Sequence, residues 1–238
     1  MESRVVGISI APVKAMALVC PDEVVVGAIG VVGNRRFWLR DENGNLFNAK
    51  KEGRLLQIRP QWDESSRRLA LTFPDGRRVE GLVQLGEQVD AFVYGELRPS
   101  RRVSGAAWGE AVSEFVGRPL ELLWADDNAV DRLTSEGTVS LISTASLDRL
   151  REEMGVDRPV DWRRFRMLFQ IDGSARTKKT HGSGGMCRSA RQSSSSRGTS
   201  VVASSPRATL IRGSATCRRW LRSLHTVARG TASSCRSA

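Results

Sequence analysis

Histidine is almost missing from this chain of 238 residues, which has only His181 and His225. The first 173 residues therefore lack the usual general base and the commonest transition-metal ligand. No apolar run reaches the roughly 18 residues that a transmembrane helix needs. The N-terminus also has no basic stretch followed by a long apolar segment, as a secretory signal would. These absences exclude a membrane-spanning helix and a signal peptide, and they predict a cytoplasmic protein.

Cysteine is scarce as well, with 4 residues in the chain and only Cys20 in the first 173. One thiol cannot build a disulfide framework, which agrees with a reducing compartment. The other three cysteines are Cys187, Cys217 and Cys235, and no two of them form a CxxC pair. This spacing is poor for zinc, so we expect no structural metal.

Acidic residues are missing from the C-terminal part of the chain. All 26 Asp and Glu lie within residues 1–173, together with 24 of the 37 Lys and Arg. Residues 174–238 have 13 basic residues, 15 serines and no acid. Only 7 of these 65 residues are Leu, Ile, Val or Phe, which is too few to bury a core. We therefore expect the Arg/Ser-rich tail, residues 174–238, to be disordered or out of frame.

Three explanations of this tail stay open. It can be a basic arm that neutralises phosphates, although its charges are scattered and Trp220 is its only aromatic residue. It can also be a folded extension. We prefer a change of reading frame near position 174, because Arg outnumbers Lys 32 to 5 across the chain. That ratio suggests a GC-rich gene, whose codons read out of frame give mainly Arg, Ser, Ala, Thr and Gly.

The first 105 residues have the pattern of short strands. Segments rich in β-branched and aromatic residues are separated by Gly, Pro, Asn and Asp. Asn43-Gly44 predicts one hairpin turn and Pro74-Asp75-Gly76 predicts another. This pattern favours a small β-barrel or sandwich. The predicted strands are residues 3–10, 24–32, 36–40, 46–49, 55–58, 69–73, 77–80 and 89–93.

From residue 106 onward helices alternate with strands. Residues 110–116 predict a helix that ends at Gly117, and residues 145–154 predict a second helix, capped by Ser143 or Thr144 and ended by Gly155. We therefore predict a mainly β chain with some α, in which an N-terminal β-barrel is followed by a β-rich α/β part. The remaining predictions are strands at residues 120–124, 138–142 and 162–171 and an exposed loop at residues 126–137.

Four short motifs resemble those of one known family. Pro12-Val13-Lys14-Ala15 and Arg35-Arg36-Phe37-Trp38 are similar to elements of the N-terminal β-barrel domain that precedes MOSC domains, the molybdenum-cofactor sulfurase C-terminal fold. Residues 141–147 and Arg164-Phe165-Arg166 are similar to a strand-to-helix turn and an Arg-Phe-Arg-Pro-Asn strand of the MOSC domain itself. The resemblance, which runs over about residues 5–173, implies a MOSC β-barrel domain at 1–105 and a partial MOSC domain at 106–173.

By this resemblance the protein binds a molybdenum cofactor, with pyridoxal phosphate as a second cofactor at the level of the family. The implied activity is that of an oxidoreductase that reduces N-oxygenated substrates, or a role in sulfur handling. A small-molecule substrate and an electron-donor protein would be its partners, without a membrane or a nucleic acid. The alternative is a non-enzymatic module, in which the same cations and the tail bind a phosphate ligand or an RNA backbone.

The candidate cofactor-binding residues follow from what a phosphate requires. Such a dianion needs Lys or Arg on rigid strands, with hydroxyls or amides at a helix start. Lys14, Arg36, Arg166, and Ser143 or Thr144 meet this need, and most of them also match residues of the family's cofactor site. Each has a structural alternative as well, as a turn lysine, a cation packed along a strand or a helix cap. No catalytic residue is assigned.

The chain departs from the family's motifs at three places. Ala15 stands where the family has Ser, Arg35 where it has Asp, and Met167-Leu168 where it has Pro-Asn. The family's C-terminal cysteine, which binds molybdenum or carries sulfur, has no counterpart in its usual sequence context. Cys187 and Cys217 lack that context, so we predict no metal ligand, and both an active and an inactive chain stay open.

Overall fold

The structure is a computed structural model that describes residues 4–27, 30–125 and 139–173, and the backbone of residues 209–212. Within these residues it confirms a mainly β chain with two α-helices. The helices are α1 (Trp108–Val116) and α2 (Thr144–Met154), and two 3-10 helices cover Gly53–Gln57 and Trp162–Phe165. The strands are β1 (Arg4–Ile8), β2 (Glu23–Gly27), β3 (Gly30–Val31), β4 (Phe37–Asp41), β5 (Leu46–Phe47), β6 (Arg59–Asp63), β7 (Arg68–Thr72), β8 (Arg78–Leu82), β9 (Gln84–Val93), β10 (Glu96–Ser104), β11 (Leu120–Ala125), β12 (Leu141–Ser143), β13 (Phe169–Asp172) and β14 (Thr209–Arg212).

The strands form four open ladders. The largest has the order β5-β4-β11-β10-β9, and the three-stranded ladders are β6-β7-β8, β1-β13-β12 and β14-β2-β3. In the described ranges no ladder closes on itself, so the predicted barrel is found as open sheets. The outer strands of the largest ladder nearly meet, but β5 has only two residues and reaches β9 through the isolated bridge between Asn45 and Phe92.

Local turn chemistry explains the two predicted hairpins, and both are confirmed. Between β4 and β5 the Asp41 carboxylate accepts hydrogen bonds from the backbone N–H of Asn43 at 3.2 Å and of Asn45 at 2.9 Å. Gly44 takes the positive φ of 77° that this turn requires. Between β7 and β8, Gly76 has a φ of 90° for the same reason.

The main hydrophobic core lies between the largest sheet, the β6-β7-β8 ladder and α1. Trp108 brings α1 into this core, where it is fully buried and its Nε1 donates to the Val79 carbonyl at 3.3 Å. Trp38 is also fully buried, on the opposite face of the largest sheet. Trp62 and Trp124 are only partly buried, and their rings meet edge to face at a centroid distance of 5.7 Å.

A second core joins the beginning of the chain to β13. β1 pairs antiparallel with β13, with Ile8 opposite Phe169. Ile8, Leu168 and Phe169 are buried members of this core. Just beyond β1, the Ser9 N–H donates to the Leu168 carbonyl at 2.9 Å, and the Ser9 hydroxyl donates to the Met167 carbonyl at 2.7 Å. These bonds fix the turn before β13 beside the segment that follows β1.

Both predicted helices are confirmed, and each ends at the predicted glycine. Gly117 ends α1 and Gly155 ends α2, both in the left-handed conformation. Ser143, one of the two predicted caps, is the N-cap of α2. The predicted loop at residues 126–137 lies outside the described residues.

Three strand predictions are wrong in whole or in part. Residues 24–32 contain two strands rather than one, because β2 and β3 pair antiparallel with Gly27 opposite Gly30. Residues 55–58 fall mainly in the first 3-10 helix, which the Glu52 carboxylate caps by accepting from the Arg54 N–H at 2.9 Å. The first half of 162–171 is the second 3-10 helix, where the Asp161 carboxylate accepts from the Arg163 N–H at 3.1 Å.

One part of the Arg/Ser-rich tail is described. Its residues Thr209–Arg212 form β14, which pairs antiparallel with β2. The rest of residues 174–238, with Cys187 and Cys217, lies outside the described residues, so the prediction of disorder is not tested there. Among the helices in the described ranges, none has the length and apolar character to cross a membrane.

Candidate functional site

Lys14 and Arg35 are brought side by side by two segments that run along each other. The Lys14 N–H donates to the Phe37 carbonyl at 2.7 Å, and the Phe37 N–H donates to the Pro12 carbonyl at 3.0 Å. The Arg35 N–H donates to the Ala11 carbonyl at 2.7 Å. These backbone bonds hold both residues at the start of β4, on a rigid part of the fold.

Arg166 reaches the same place from the turn before β13. Its Nη2 donates to the Met16 carbonyl at 2.8 Å, two residues beyond Lys14. Three segments that are far apart in sequence thus bring three basic residues together. We call Lys14, Arg35 and Arg166 the cation cluster.

The charges of the cation cluster act on one another's pKa values. Lys14 is only 8% exposed. Burial, and then the charges of Arg35 and Arg166, lower the pKa of Lys14 to about 7. Burial and the charge of Arg35 lower the pKa of Arg166 to about 10. Burial also lowers the pKa of Arg35, and Tyr94 opposes that shift.

Backbone strain is concentrated at this cluster. Among the described residues, five other than glycine have a positive φ: Ala15, Arg35, Arg67, Tyr94 and Arg166. Two of them are cluster members, Ala15 follows Lys14, and Tyr94 flanks the cluster. Strained backbone persists where the surrounding structure holds it, and it is enriched at ligand sites.

Tyr94 flanks the cluster from the tip of the β9–β10 hairpin. The Lys14 Nζ lies 5.6 Å from the centroid of its ring, within the range of a cation–π contact. The Tyr94 residue itself is 52% exposed. The cluster is therefore bordered by an aromatic ring that also faces the outside.

Arg36, the candidate next to Arg35, lies against a different part of the fold. Its guanidinium carbon is 4.8 Å from the centroid of the Trp124 ring, and its Nη1 donates to the Ala125 carbonyl at 3.3 Å. Its Nε is buried and has no hydrogen-bond partner among the described residues. Arg36 thus offers one unsatisfied donor beside Trp124.

Ser143 and Thr144 both make local hydrogen bonds at the start of α2. The Ser143 hydroxyl accepts from the Ser146 N–H at 3.1 Å, and the Thr144 hydroxyl donates to an Asp172 carboxylate oxygen at 2.7 Å. Ser143 pairs with Ile171 near the end of β13, whereas Arg166 precedes the start of that strand. The two hydroxyls and Arg166 therefore lie toward opposite ends of β13.

A large surface groove elsewhere in the fold has a different electrostatic character. It has a volume of about 1220 Å³ and lies beside α1, β10 and β11. Its arginines are paired with carboxylates: Arg40 and Arg102 contact Glu121, and Arg118 contacts Glu42 at 2.6 Å. This pairing leaves the groove without the excess positive charge of the cation cluster.

The arrangement at the cation cluster suits an anion. A doubly charged group placed among three cations would offset their mutual repulsion and accept charge-assisted hydrogen bonds. The described residues hold no group of three or more His, Cys, Asp and Glu side chains placed to bind a metal ion.

The sequence pattern identified two cluster members and missed the third, Arg35, and the flanking residue Tyr94. Lys14 and Arg166 were candidates, whereas Arg35 was noted only as a departure from a motif and Tyr94 was not considered. The run Arg35-Arg36 showed two adjacent cations, but nothing in the local sequence indicates which of the two side chains lies beside Lys14. Gly95 was the only local signal for the hairpin tip, because no strand was predicted directly after residue 93.

Comparison with known proteins identifies a family and finds similar solved structures. Residues 2–121 match the family model described as the MOSC N-terminal beta barrel domain. No curated protein matches the chain. The chain is similar to the solution structure of a protein from Bordetella bronchiseptica, with 17% identity and a TM-score of 0.35. That likeness covers 46% of this chain and 92% of the other.

Proposed function

Because the chain belongs to the MOSC N-terminal beta barrel domain family, we propose that it binds a molybdenum cofactor and that the cation cluster holds the cofactor's phosphate. One observation carries this proposal: three basic side chains from separate segments converge at a site where Lys14 is almost fully buried. Placing charges of one sign together in a partly buried site is unfavourable by itself. A dianionic ligand supplies the compensation.

Each cluster member has a distinct part in binding. The guanidinium groups of Arg35 and Arg166 provide planar donors that match phosphate oxygens. Lys14 provides a compact charge beside them, and it takes up a proton when the anion enters, because the bound charge favours the ammonium form. Arg36 packs against Trp124 with its Nε buried, so we assign it no contact with the phosphate.

The bound cofactor would supply two-electron chemistry, either removal of oxygen from an N-oxygenated small molecule or sulfur handling. The residues of this chain bind and orient the anionic end in that scheme. An electron-donor protein would complete the oxidoreductase. Pyridoxal phosphate also has a dianionic phosphate. Analysis of the ligand that co-purifies with the protein therefore has to distinguish it from a pterin.

The test is the pterin and molybdenum content of the purified full chain. We expect pterin fluorescence and molybdenum in the wild-type protein. The variants Lys14→Met and Arg166→Gln should lose about tenfold or more of both, since each removes a charge-assisted contact. Lys50→Met and Arg164→Gln are matched controls, because both side chains are exposed. Equal pterin content in cluster and control variants would contradict the proposal.

The alternative function is a non-enzymatic module for a phosphate ligand or nucleic acid. The observation that favours it is the basic tail, with 13 positive residues and no acid after position 173. It predicts an excess of absorbance at 260 nm in the purified protein and binding that weakens steeply with salt. Truncation after residue 173 would remove that binding, whereas it would leave the cation cluster in place.

A further inference from the structure

The tip of the β9–β10 hairpin is a two-residue turn with an unusual first residue. Val93 pairs with Glu96, so Tyr94 and Gly95 form the loop, with φ angles of 55° and 87°. Positive φ at both central residues defines a type I′ turn, in which Asn-Gly is preferred. A bulky aromatic residue at the first position is an outlier, and such outliers often mark functional sites.

The hairpin tip is held firmly although the Tyr94 side chain is half exposed. The Phe92 N–H donates to the Gly44 carbonyl at 2.8 Å, which fastens the tip to the β4–β5 turn. Ala91 and Val93 on the same strand are buried in the core that contains Trp38. The Tyr94 ring is therefore presented from a rigid element, and its contact with Lys14 does not depend on a mobile loop.

We propose that Tyr94 is a positioning residue of this site, whose ring keeps the Lys14 side chain as a cation facing the bound phosphate. This inference rests on the proposed function, because it concerns the same anion site. The charged groups that act on Lys14 are Arg35 before β4 and Arg166 before β13, and both oppose its protonation. The Tyr94 ring at 5.6 Å acts in the opposite direction, since the face of an aromatic ring attracts a cation.

The test measures sulfate binding by the full chain with titration calorimetry between pH 5.5 and 9. Sulfate remains a dianion throughout this range, so the pH profile reports on the protein. We expect affinity to fall as pH rises through the pKa of Lys14. Tyr94→Asn should move the midpoint of this profile down by about half a pH unit and weaken binding at pH 8 about threefold.

Two further variants separate the ring from other effects. Tyr94→Phe keeps the aromatic face and should retain the wild-type midpoint. Leu97→Asn removes another exposed apolar side chain of the same hairpin and should also leave the midpoint unchanged. The thermal midpoint of Tyr94→Asn should equal or exceed that of the wild type, because asparagine suits the first position of a type I′ turn.

The inference is overturned if Tyr94→Asn keeps the wild-type profile, or if Tyr94→Phe shifts it as much as Tyr94→Asn does. Failure of the wild-type chain to bind sulfate at any pH has a different meaning. That result overturns the anion site itself and so removes the proposed function as well.

Discussion

Replacing Lys14 with methionine removes a buried charge while it changes the side-chain volume little. The pKa of Lys14 falls from its usual 10.5 to about 7 in the folded chain, chiefly through burial. At about 1.4 kcal/mol for each pKa unit, this difference costs the charged form roughly 5 kcal/mol of folding free energy. Methionine has no such cost, so Lys14→Met should stabilise the fold at neutral and acidic pH.

The sign of the pH dependence follows from proton binding. Below pH 7 Lys14 is charged in both the folded and the unfolded chain, and the whole cost is present. Between pH 7 and 10.5 only the unfolded chain keeps the proton, so the stability of the wild type rises with pH by about 1.4 kcal/mol per unit. Above pH 10.5 both states are neutral and the cost is gone.

The assay is urea unfolding of the full-length wild type and Lys14→Met at several pH values from 6 to 10. The variant should gain roughly 5 kcal/mol at pH 6, and its advantage should shrink steadily as pH rises above 7. Lys50→Met, at an exposed position, should show no pH-dependent difference. A stability difference that stays constant with pH, or a loss of stability at pH 6, would refute this reasoning.

Three other predictions concern the fold and the tail. Gly105→Ala should destabilise the chain by more than about 3 kcal/mol in urea unfolding. The added Cβ would lie 2.0 Å from the Leu82 carbonyl oxygen, and the residue has a φ of 112°. Gly76→Ala is the control: with a φ of 90° and open space around it, it should cost only about 1 kcal/mol. Trp108→Ala should cost about 3–5 kcal/mol because the ring is fully buried, whereas Leu97→Ala, 53% exposed, should stay within about 0.5 kcal/mol. Reading the coding DNA after residue 173 in the other frames should yield a balanced, strand-forming sequence, and its absence in both frames would end the frame-change explanation.

Sequence analysis predicted the local elements well where one signal dominated. Asn43-Gly44 turns a hairpin, and glycines end both helices, because these conformations depend on a few neighbouring residues. It predicted a strand wrongly at residues 55–58, where apolar residues belong to a 3-10 helix. A short apolar run fits either conformation, and a cap that lies outside the run, at Glu52, decides between them.

The sequence pattern could not predict that the largest sheet is open. Strand and turn signals located many of the strands, although they missed β6 and β10, and they do not show which outer strands pair. That outcome depends on β5, which is two residues long and meets β9 at a single bridge. Closure of a sheet is a property of pairing between distant segments, and local propensity does not contain it.

The sequence by itself determined the charge boundary at residue 174, two of the hairpins, both helices, and two of the three cations that meet at the site. Only the tertiary structure decided that Arg35, and not Arg36, faces Lys14. The backbone N–H of Arg35 donates to the Ala11 carbonyl, which holds this residue beside the Lys14 segment, whereas the Arg36 side chain packs on Trp124. Two adjacent residues with the same side chain look alike in sequence, and long-range packing is what separates their roles.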